Sequence, residues 1–368
     1  MGQITILQEK LFSNMKKILF IHPGQFGTQT STYNYCLLLK EKYKINYIGI
    51  DEGLANRNIK GIKYIHIPQA TNGCLMRLNF FKAIYREVHM NSYDFVLVNY
   101  FIFCSIIRLF IKRKIVVEIR SGYIFSSFLK RFFYNMFLFI EVKFFKNITT
   151  ISQGIVKYLN LPARTSIIPL GSPKFAYSKK DFKELKFLYV GTFHERNITT
   201  TIKAFAQWYF ENINRLNVSY TIIGHGSKTE VEKIKNMIKE LKIDKIVSYK
   251  GEIREPKIAE YFNSHNVGVS YIPIKKYFEN QPPFKTFEYL LSGMPVLATA
   301  TNENIKVIND ANGVIIGDTV EDFYNGLIKI YTNINTYSSE KIQKQSQKYS
   351  WDYIVTFNLI PYIERVSC

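Results

Sequence analysis

Glu288 sits inside "QPPFKTFEYLLSGMPVLAT", residues 281–299, which runs from a proline-rich loop through an apolar, helix-like segment into Gly293-x-Pro295 and a strand-like end. Pro282 and Pro283 suit a helix start, where a missing N–H costs least. Gly293 suits the position just past the helix end, with Pro295 blocking continuation. A helix N-terminus offers backbone N–H groups and the positive end of the helix dipole, which suits a phosphate. Glu288 lies about one turn inside. A carboxylate accepts two hydrogen bonds from a vicinal diol, each such charged bond contributing about 1.5–3 kcal/mol, so a ribose hanging from that phosphate fits. The competing reading is a surface glutamate on a helix whose other residues pack.

The surroundings of this helix carry the chemistry further. "YVGTFHERNITTTIKAF" puts Gly191 at a strand end, where backbone can approach a ligand closely, followed by Arg196 and Lys203. The planar fork of Arg196 suits a pyrophosphate, whereas Lys203 reads as a solvated helix residue. "IIGHGS" supplies a second glycine turn at Gly224 and Gly226, a wall for a nucleotide base, and "YKGEI" a third at Gly251. His22 ends a strand and His225 sits in a glycine turn, while His66, His89, His194 and His265 lack partners at telling spacings. None is assigned as a base.

These residues need elements to hold them. "KKILFIHPGQFGTQTSTYNYCLLLKEKYKINYIGI" reads as strand, glycine-bearing loop, helix, strand, and "YDFVLVNY" and "RKIVVEIR" are further strands. "ITTISQGIVKYLN" and "SIIPLG" close the first half. A polar connector containing a proline follows Gly171, and the same grammar restarts with "LKFLYVGTF", "SYTIIGHGS", "KIVSYKGEI", "NVGVSYIP" and "PVLATA". Short buried strands alternating with helices predict parallel sheets. The chain of 368 residues therefore reads as α/β, with two doubly wound domains. Ligands of such sheets bind beyond the carboxyl ends of the strands, which predicts a site in a cleft between the domains. The divisions are a tail at 1–14, a first domain at 15–172, a second at 173–345, and a terminal helix at 346–368 that packs back on the first. No apolar run reaches the ~20 residues a membrane span needs.

The ordered set "FLYVGTF", "RN", "IKAF", "YTIIGHGS", "YKGEI", "VGVSYIP", "PPFKTFEYLLSGMPVLAT" and "NGVII" resembles the nucleotide-binding half of the retaining family-4 glycosyltransferases of GT-B fold. Upstream, "TISQGIVKYL" and "IIPLG" extend the similarity over most of the chain. The resemblance implies two Rossmann-like domains facing across a cleft, the first on the acceptor side and the second binding the nucleotide sugar. It implies that Glu288 is the second glutamate of an E-x7-E motif and holds the ribose. Arg196 matches a basic phosphate contact, and the amides around Phe284 and Lys285 match the helix start that takes the donor phosphate. Gly27, or else Gly24, matches a glycine loop of the first domain.

The chain departs from that pattern at three places. Asn280 stands where the first glutamate is expected, with Glu279 one residue earlier, so either contacts the donor sugar. Thr192 replaces an arginine, leaving Arg196 more of the phosphate charge. Arg120, in "VVEIRSGY", stands where many members have a histidine, and the resemblance places it near the transferred sugar. Retaining chemistry of this kind needs no protein nucleophile if the leaving phosphate assists the incoming hydroxyl. The expectation is a metal-independent hexosyltransferase with no cofactor, taking a UDP- or GDP-sugar as donor substrate; no D-x-D occurs in the chain.

The formal charge of +20 points to an acidic partner or to a lysine- and asparagine-rich composition without functional meaning. Residues 123–146, "YIFSSFLKRFFYNMFLFIEVKFFK", combine eight phenylalanines with lysines and an arginine. They suit either a helix lying on an anionic membrane surface or a buried aromatic helix. Four scattered cysteines, with no C-x-x-C, fit a reducing compartment. The resulting expectation is a cytoplasmic enzyme, peripheral at the inner face of the plasma membrane, that extends a saccharide, lipid-linked, in assembly of a bacterial surface polysaccharide. The alternatives are a sugar-nucleotide epimerase of the same fold, a catalytically degenerate interaction subunit, and a nucleic-acid binder. Against the last, the lysines are spread through both halves and no nucleic-acid module is present.

Overall fold

The computed structural model describes residues 15–55, 57–112, 114–125, 127–176, 178–212, 217–253 and 256–368; the tail assigned to residues 1–14 lies outside them. The chain divides into two compact units, one ending at Leu170 and joined by Trp351–Cys368, the other Gly171–Ser350.

The first unit opens with β1 (Lys17–Ile21), whose Ile18, Leu19, Phe20 and Ile21 are fully buried. It continues through α1 (Thr30–Leu39), β2 (Lys44–Ile50), β3 (Ile62–Ile67), α2 (Gly73–Met90), β4 (Phe95–Asn99) and β5 (Ile115–Ile119). Next come α3 (Phe128–Val142), β6 (Asn147–Thr150), α4 (Gln153–Tyr158) and β7 (Ser166–Ile167). The strands form one parallel sheet in the order β3-β2-β1-β4-β5-β6-β7. β4 and β5 are buried along their whole length, as sheets covered on both faces require.

The second unit repeats the plan: β8 (Leu185–Val190), α5 (Ile198–Glu211), β9 (Val218–Ile223), α6 (Lys228–Glu240), β10 (Val247–Tyr249), α7 (Ile258–Ser264), β11 (Val267–Ser270) and α8 (Phe284–Leu291). β12 (Val296–Thr299) and β13 (Gly313–Ile316) complete a parallel sheet of order β10-β9-β8-β11-β12-β13. Both sheets are doubly wound, and in each the strand order reverses beside the first strand. The reversal lies between β1 and β4 in one unit and between β8 and β11 in the other. Loops leaving those strands diverge there and open a crevice at the carboxyl end.

Two elements of the first unit escaped the sequence reading, β3 and α2. β3 is an edge strand whose residues are mostly half-exposed. The terminal segment is a helix in two pieces, Trp351–Ile354 and Ile360–Ser367, joined by a π-helical turn over Val355–Leu359. Pro361 explains the wider turn, because it has no N–H to continue the α-helical ladder.

Candidate active site

The crevice of the second unit is built first from glycines. Gly224, after β9, has φ of +153°, and a Cβ there would fall 1.8 Å from the carbonyl oxygen of Gly191, at the end of β8. Only glycine lets the two turns touch. The Gly224 N–H donates to the carbonyl of Gly251, so the three glycine turns read from the sequence adjoin. Gly226 packs beside Phe193 and the Glu230 carboxylate, which closes a capping box with Ser227 at the start of α6. That carboxylate is used to hold the helix.

Arg196 leaves the turn after β8 between two residues in the left-handed region, Glu195 at φ of 52° and Asn197 at φ of 49°. This kinked path lays its guanidinium 3.9 Å over the ring of Phe278. Nη1 is buried with no hydrogen-bond partner among the described residues. Burial pushes its pKa down. The neighbouring Glu195 is engaged elsewhere, accepting from the Tyr277 hydroxyl at 2.5 Å and from Lys275 at 3.3 Å.

A second cation meets the same turn. Lys285, in the first turn of α8, folds its side chain over the ring of Tyr189, with Nζ 4.1 Å from the centroid and 3.2 Å from where a Gly191 Cβ would be. Its Nζ, too, is buried and has no hydrogen-bond partner among the described residues. Burial drives the ammonium pKa well below the lysine range, the charge of Arg196 adds to this, and Glu288 partly opposes it. The sequence reading used Lys285 only for its amide. Thr192, where the resemblance expects an arginine, contributes a carbonyl that accepts from the Tyr189 hydroxyl at 2.9 Å.

α8 starts at Pro283 with no side chain capping its first turn and ends at Gly293, φ of 74°, whose N–H donates to Leu290. It is anchored from both sides. The Tyr289 hydroxyl accepts from the Val190 N–H at 2.9 Å, and the Thr286 hydroxyl bonds Ser270 and Asn304 at 2.7 and 2.9 Å. Glu288, half-buried, is carried on the same first turns as Lys285. Before the helix, the Asn280 side chain accepts from Asn302 at 3.2 Å. Glu279 is half-buried, and its backbone carbonyl accepts from the Glu303 N–H. Lys203 is exposed on α5, as a solvated residue.

In the first unit the strand-order reversal is marked by a pocket of about 240 Å³ lined by His22, Gln29, Asn99, Glu118, Arg120 and neighbours. Arg120 donates twice to the Glu118 carboxylate, at 2.9 and 2.7 Å, and Asn99 donates to the same oxygen at 2.5 Å. Glu118, 2% exposed, was not singled out by sequence, because nothing in "VVEIRSGY" distinguishes an anchoring carboxylate from a packed one. His22 accepts from the Gly24 N–H at 2.9 Å through Nδ1, which leaves the proton on Nε2. Burial lowers its pKa to about 4, so it is a neutral donor facing the pocket. Gly27 has φ of +90°, and its open side is covered by Arg57. His265, in the second unit, is buried and bonded through both ring nitrogens to Tyr261 and Thr221. Among the described residues no three His, Cys, Asp or Glu side chains converge as a metal site.

Two cationic side chains, each with a buried nitrogen that has no hydrogen-bond partner among the described residues, meet a glycine turn and an uncapped helix start at the reversal point of one sheet, an arrangement suited to an anion. Residues 184–333, which contain all of these groups, match the family model for Glycosyl transferases group 1. Over these residues the second unit is similar to the group 1 glycosyl transferases. The whole chain also shares its fold with solved GT-B structures. Sucrose-phosphate synthase from Thermosynechococcus elongatus aligns with TM-score 0.76 and 16% identity, covering 95% of this chain and 98% of that one. HepE from Anabaena, solved with UDP and glucose, gives 0.71 and 16% over 96% and 100%. The lipopolysaccharide outer core galactosyltransferase WaaB gives 0.69 and 16% over 95% and 99%. At this identity the likeness establishes the GT-B fold. No curated protein matches the chain by sequence. Within the second unit, Arg196, Lys285, Glu288, Gly191, Gly224 and Gly251 are brought together around β8 and α8, while Arg120 and Gly27 belong to the other unit.

Proposed function

We propose that the protein is a retaining glycosyltransferase that moves a hexose from a nucleotide sugar, UDP- or GDP-linked, to a lipid-linked saccharide in assembly of a bacterial surface glycan. The observation that carries this reading is the pair of buried cations, Arg196 and Lys285, each with a polar hydrogen unpaired. An unpaired buried charge is strongly unfavourable, and a diphosphate compensates both. In this reading the phosphate nearest the sugar sits at the α8 start, and Glu288 accepts from the ribose hydroxyls. The Gly224 and Gly226 turn faces the base.

The glycosidic bond to the leaving phosphate breaks as the acceptor hydroxyl adds to the same face of the sugar. The hydroxyl proton passes to the departing phosphate oxygen, so configuration is retained and no protein nucleophile is used. Arg196 and Lys285 stabilise the negative charge that grows on that phosphate, with no metal assigned a part. Glu279, whose side chain is engaged by no described hydrogen bond, is the better placed of the two candidates for the donor sugar; Asn280 is tied to Asn302. Arg120, fixed by Glu118, and the Nε2–H of His22 serve as hydrogen-bond donors to a saccharide in the first unit's pocket. The wider family context agrees, since WaaB is by its description a lipopolysaccharide galactosyltransferase and HepE was solved with UDP and glucose.

The enzyme is placed at the inner face of the plasma membrane through α3. No helix among the described residues is long and apolar enough to cross a membrane. Phe128, Leu129, Phe132, Phe133, Met136 and Ile140 of α3 are nevertheless exposed, and this favours the surface-lying reading over the buried aromatic helix.

The deciding experiment incubates the protein with UDP- and GDP-sugars and saccharide lipids and follows nucleoside diphosphate. Release that rises with acceptor and vanishes in folded Glu288→Ala supports transfer. Donor altered at one carbon with nothing transferred would support the epimerase, and no turnover with any pair the degenerate subunit.

A further inference from the structure

A groove of about 680 Å³ lies at the amino end of the first unit's sheet, the end opposite that unit's own crevice. Six of its lining side chains are basic, Arg108, Lys112, Lys114, Lys146, Arg164 and Arg365, and no Asp or Glu side chain lines it. Lys114 is the one with an ion-pair partner among the described residues, Asp94 at 3.7 Å. The two central guanidiniums are held by neutral oxygens. Arg108 donates to the carbonyls of Phe144, Ile111 and Lys112, and Arg164 to those of Phe145 and Lys143. The bonds to Lys143, Phe144 and Phe145 cap the carbonyl end of α3, and the whole set orients the cations without cancelling their charge. Arg365 is steered inward by Ser166 at 3.3 Å.

The groove is continuous with the exposed stripe of α3. Glu141, the one acidic residue of 123–146, is turned away and buried, accepting from the Phe103 and Ser105 N–H groups and the Ser105 and Tyr100 hydroxyls. That bond set fastens one side of α3 and leaves the other outward. Phe144 and Leu109, 61% and 75% exposed, stand beside Arg108 where stripe and groove join. Apolar side chains flanked by Lys130, Arg131, Lys143 and Lys146, with Glu141 as the one acid of residues 123–146 and that one buried, complement an anionic lipid surface.

We propose that this groove binds the phosphate head group of an anionic lipid while the α3 stripe enters the acyl boundary. The inference rests on the α3 docking reading and is independent of the transfer reaction. The site lies at the amino end of the first unit's sheet, whereas that unit's own crevice lies at the carboxyl end.

The test is co-sedimentation of the full chain with vesicles of phosphatidylcholine alone and of phosphatidylcholine with phosphatidylglycerol, which requires no turnover. Wild type should favour the anionic vesicles. Lys112→Glu with Lys146→Glu, both at exposed positions, should lose that preference by about fivefold or more per lysine while keeping its binding to neutral vesicles and its melting temperature. Phe132→Ser with Phe133→Ser should weaken binding to both. Undiminished preference in the lysine variant overturns the groove assignment and leaves the stripe standing. Displacement by inorganic phosphate at millimolar concentration also overturns it, as a site for soluble phosphate. No sedimentation with either vesicle overturns both the groove and the α3 reading.

Discussion

At the scale of single residues, Lys285 decides the account. Its ammonium is held well below its ordinary pKa by burial and by Arg196. A phosphate placed beside it favours the charged form and raises that pKa. Binding of UDP or GDP therefore takes up protons at pH values between the free and bound pKa, and affinity falls as pH rises through that window. Calorimetry in two buffers of different ionisation heat should show the uptake, and Lys285→Met should erase it along with about 10- to 150-fold in affinity, the worth of one charged hydrogen bond. Buffer-independent heats would count against the assignment. Glu288→Ala should cost a nucleoside diphosphate a similar factor and leave inorganic pyrophosphate unaffected, because only the former offers a ribose. Glu288 and Arg196 could be picked out from residue type and spacing. Lys285 could be placed only on a helix start, because the backward fold of its side chain under Gly191 depends on Tyr189 and Gly191, nearly a hundred residues away.

Among elements, the glycine turns fix the geometry. In Gly224→Ala the new methyl would meet the Gly191 carbonyl at 1.8 Å, a backbone atom that cannot swing aside. The turn must open. We expect a loss of roughly 2–4 kcal/mol in denaturant unfolding, together with loss of nucleotide binding. A variant of wild-type stability that still binds nucleotide would show that the two turns need not touch. Strands such as "KILFI" and "FVLVN" were legible because parallel sheets bury both faces and leave unbroken apolar runs. β3 was not, since an edge strand carrying Lys63 and His66 lacks that signature. For α3 the sequence left a surface-lying and a buried helix open, because the choice depends on Glu141 being spent on the Phe103 and Ser105 amides.

For the molecule as a whole, the doubly wound plan was legible from the repeated strand-loop-helix grammar, while the GT-B fold came from the family resemblance and agrees with the solved structures. One clasp was hidden by distance along the chain. Glu364, in the terminal helix, pairs with Lys16, accepts from the Tyr43 hydroxyl at 2.5 Å and meets Lys42 at 3.4 Å. Hydrogen bonds to Lys16 and Tyr43 lower its pKa to about 2. A carboxylate with a depressed folded pKa adds stability above its unfolded pKa, and that increment is lost as pH falls toward the folded value. Melting temperature should therefore decline more steeply with acidification from about pH 4.5 toward 2 in wild type than in Glu364→Gln. Parallel curves would remove the clasp from the account.

The central claim, that the second unit holds a nucleoside diphosphate through Arg196 and Lys285, is tested most directly by thermal shift. A ligand of the folded state at a hundred times its Kd adds about 2.7 kcal/mol. The account predicts that UDP or GDP raises the melting temperature, that the matching nucleoside does not, and that the rise collapses in Lys285→Met. A rise that survives intact in Lys285→Met, or none with either diphosphate, would contradict it.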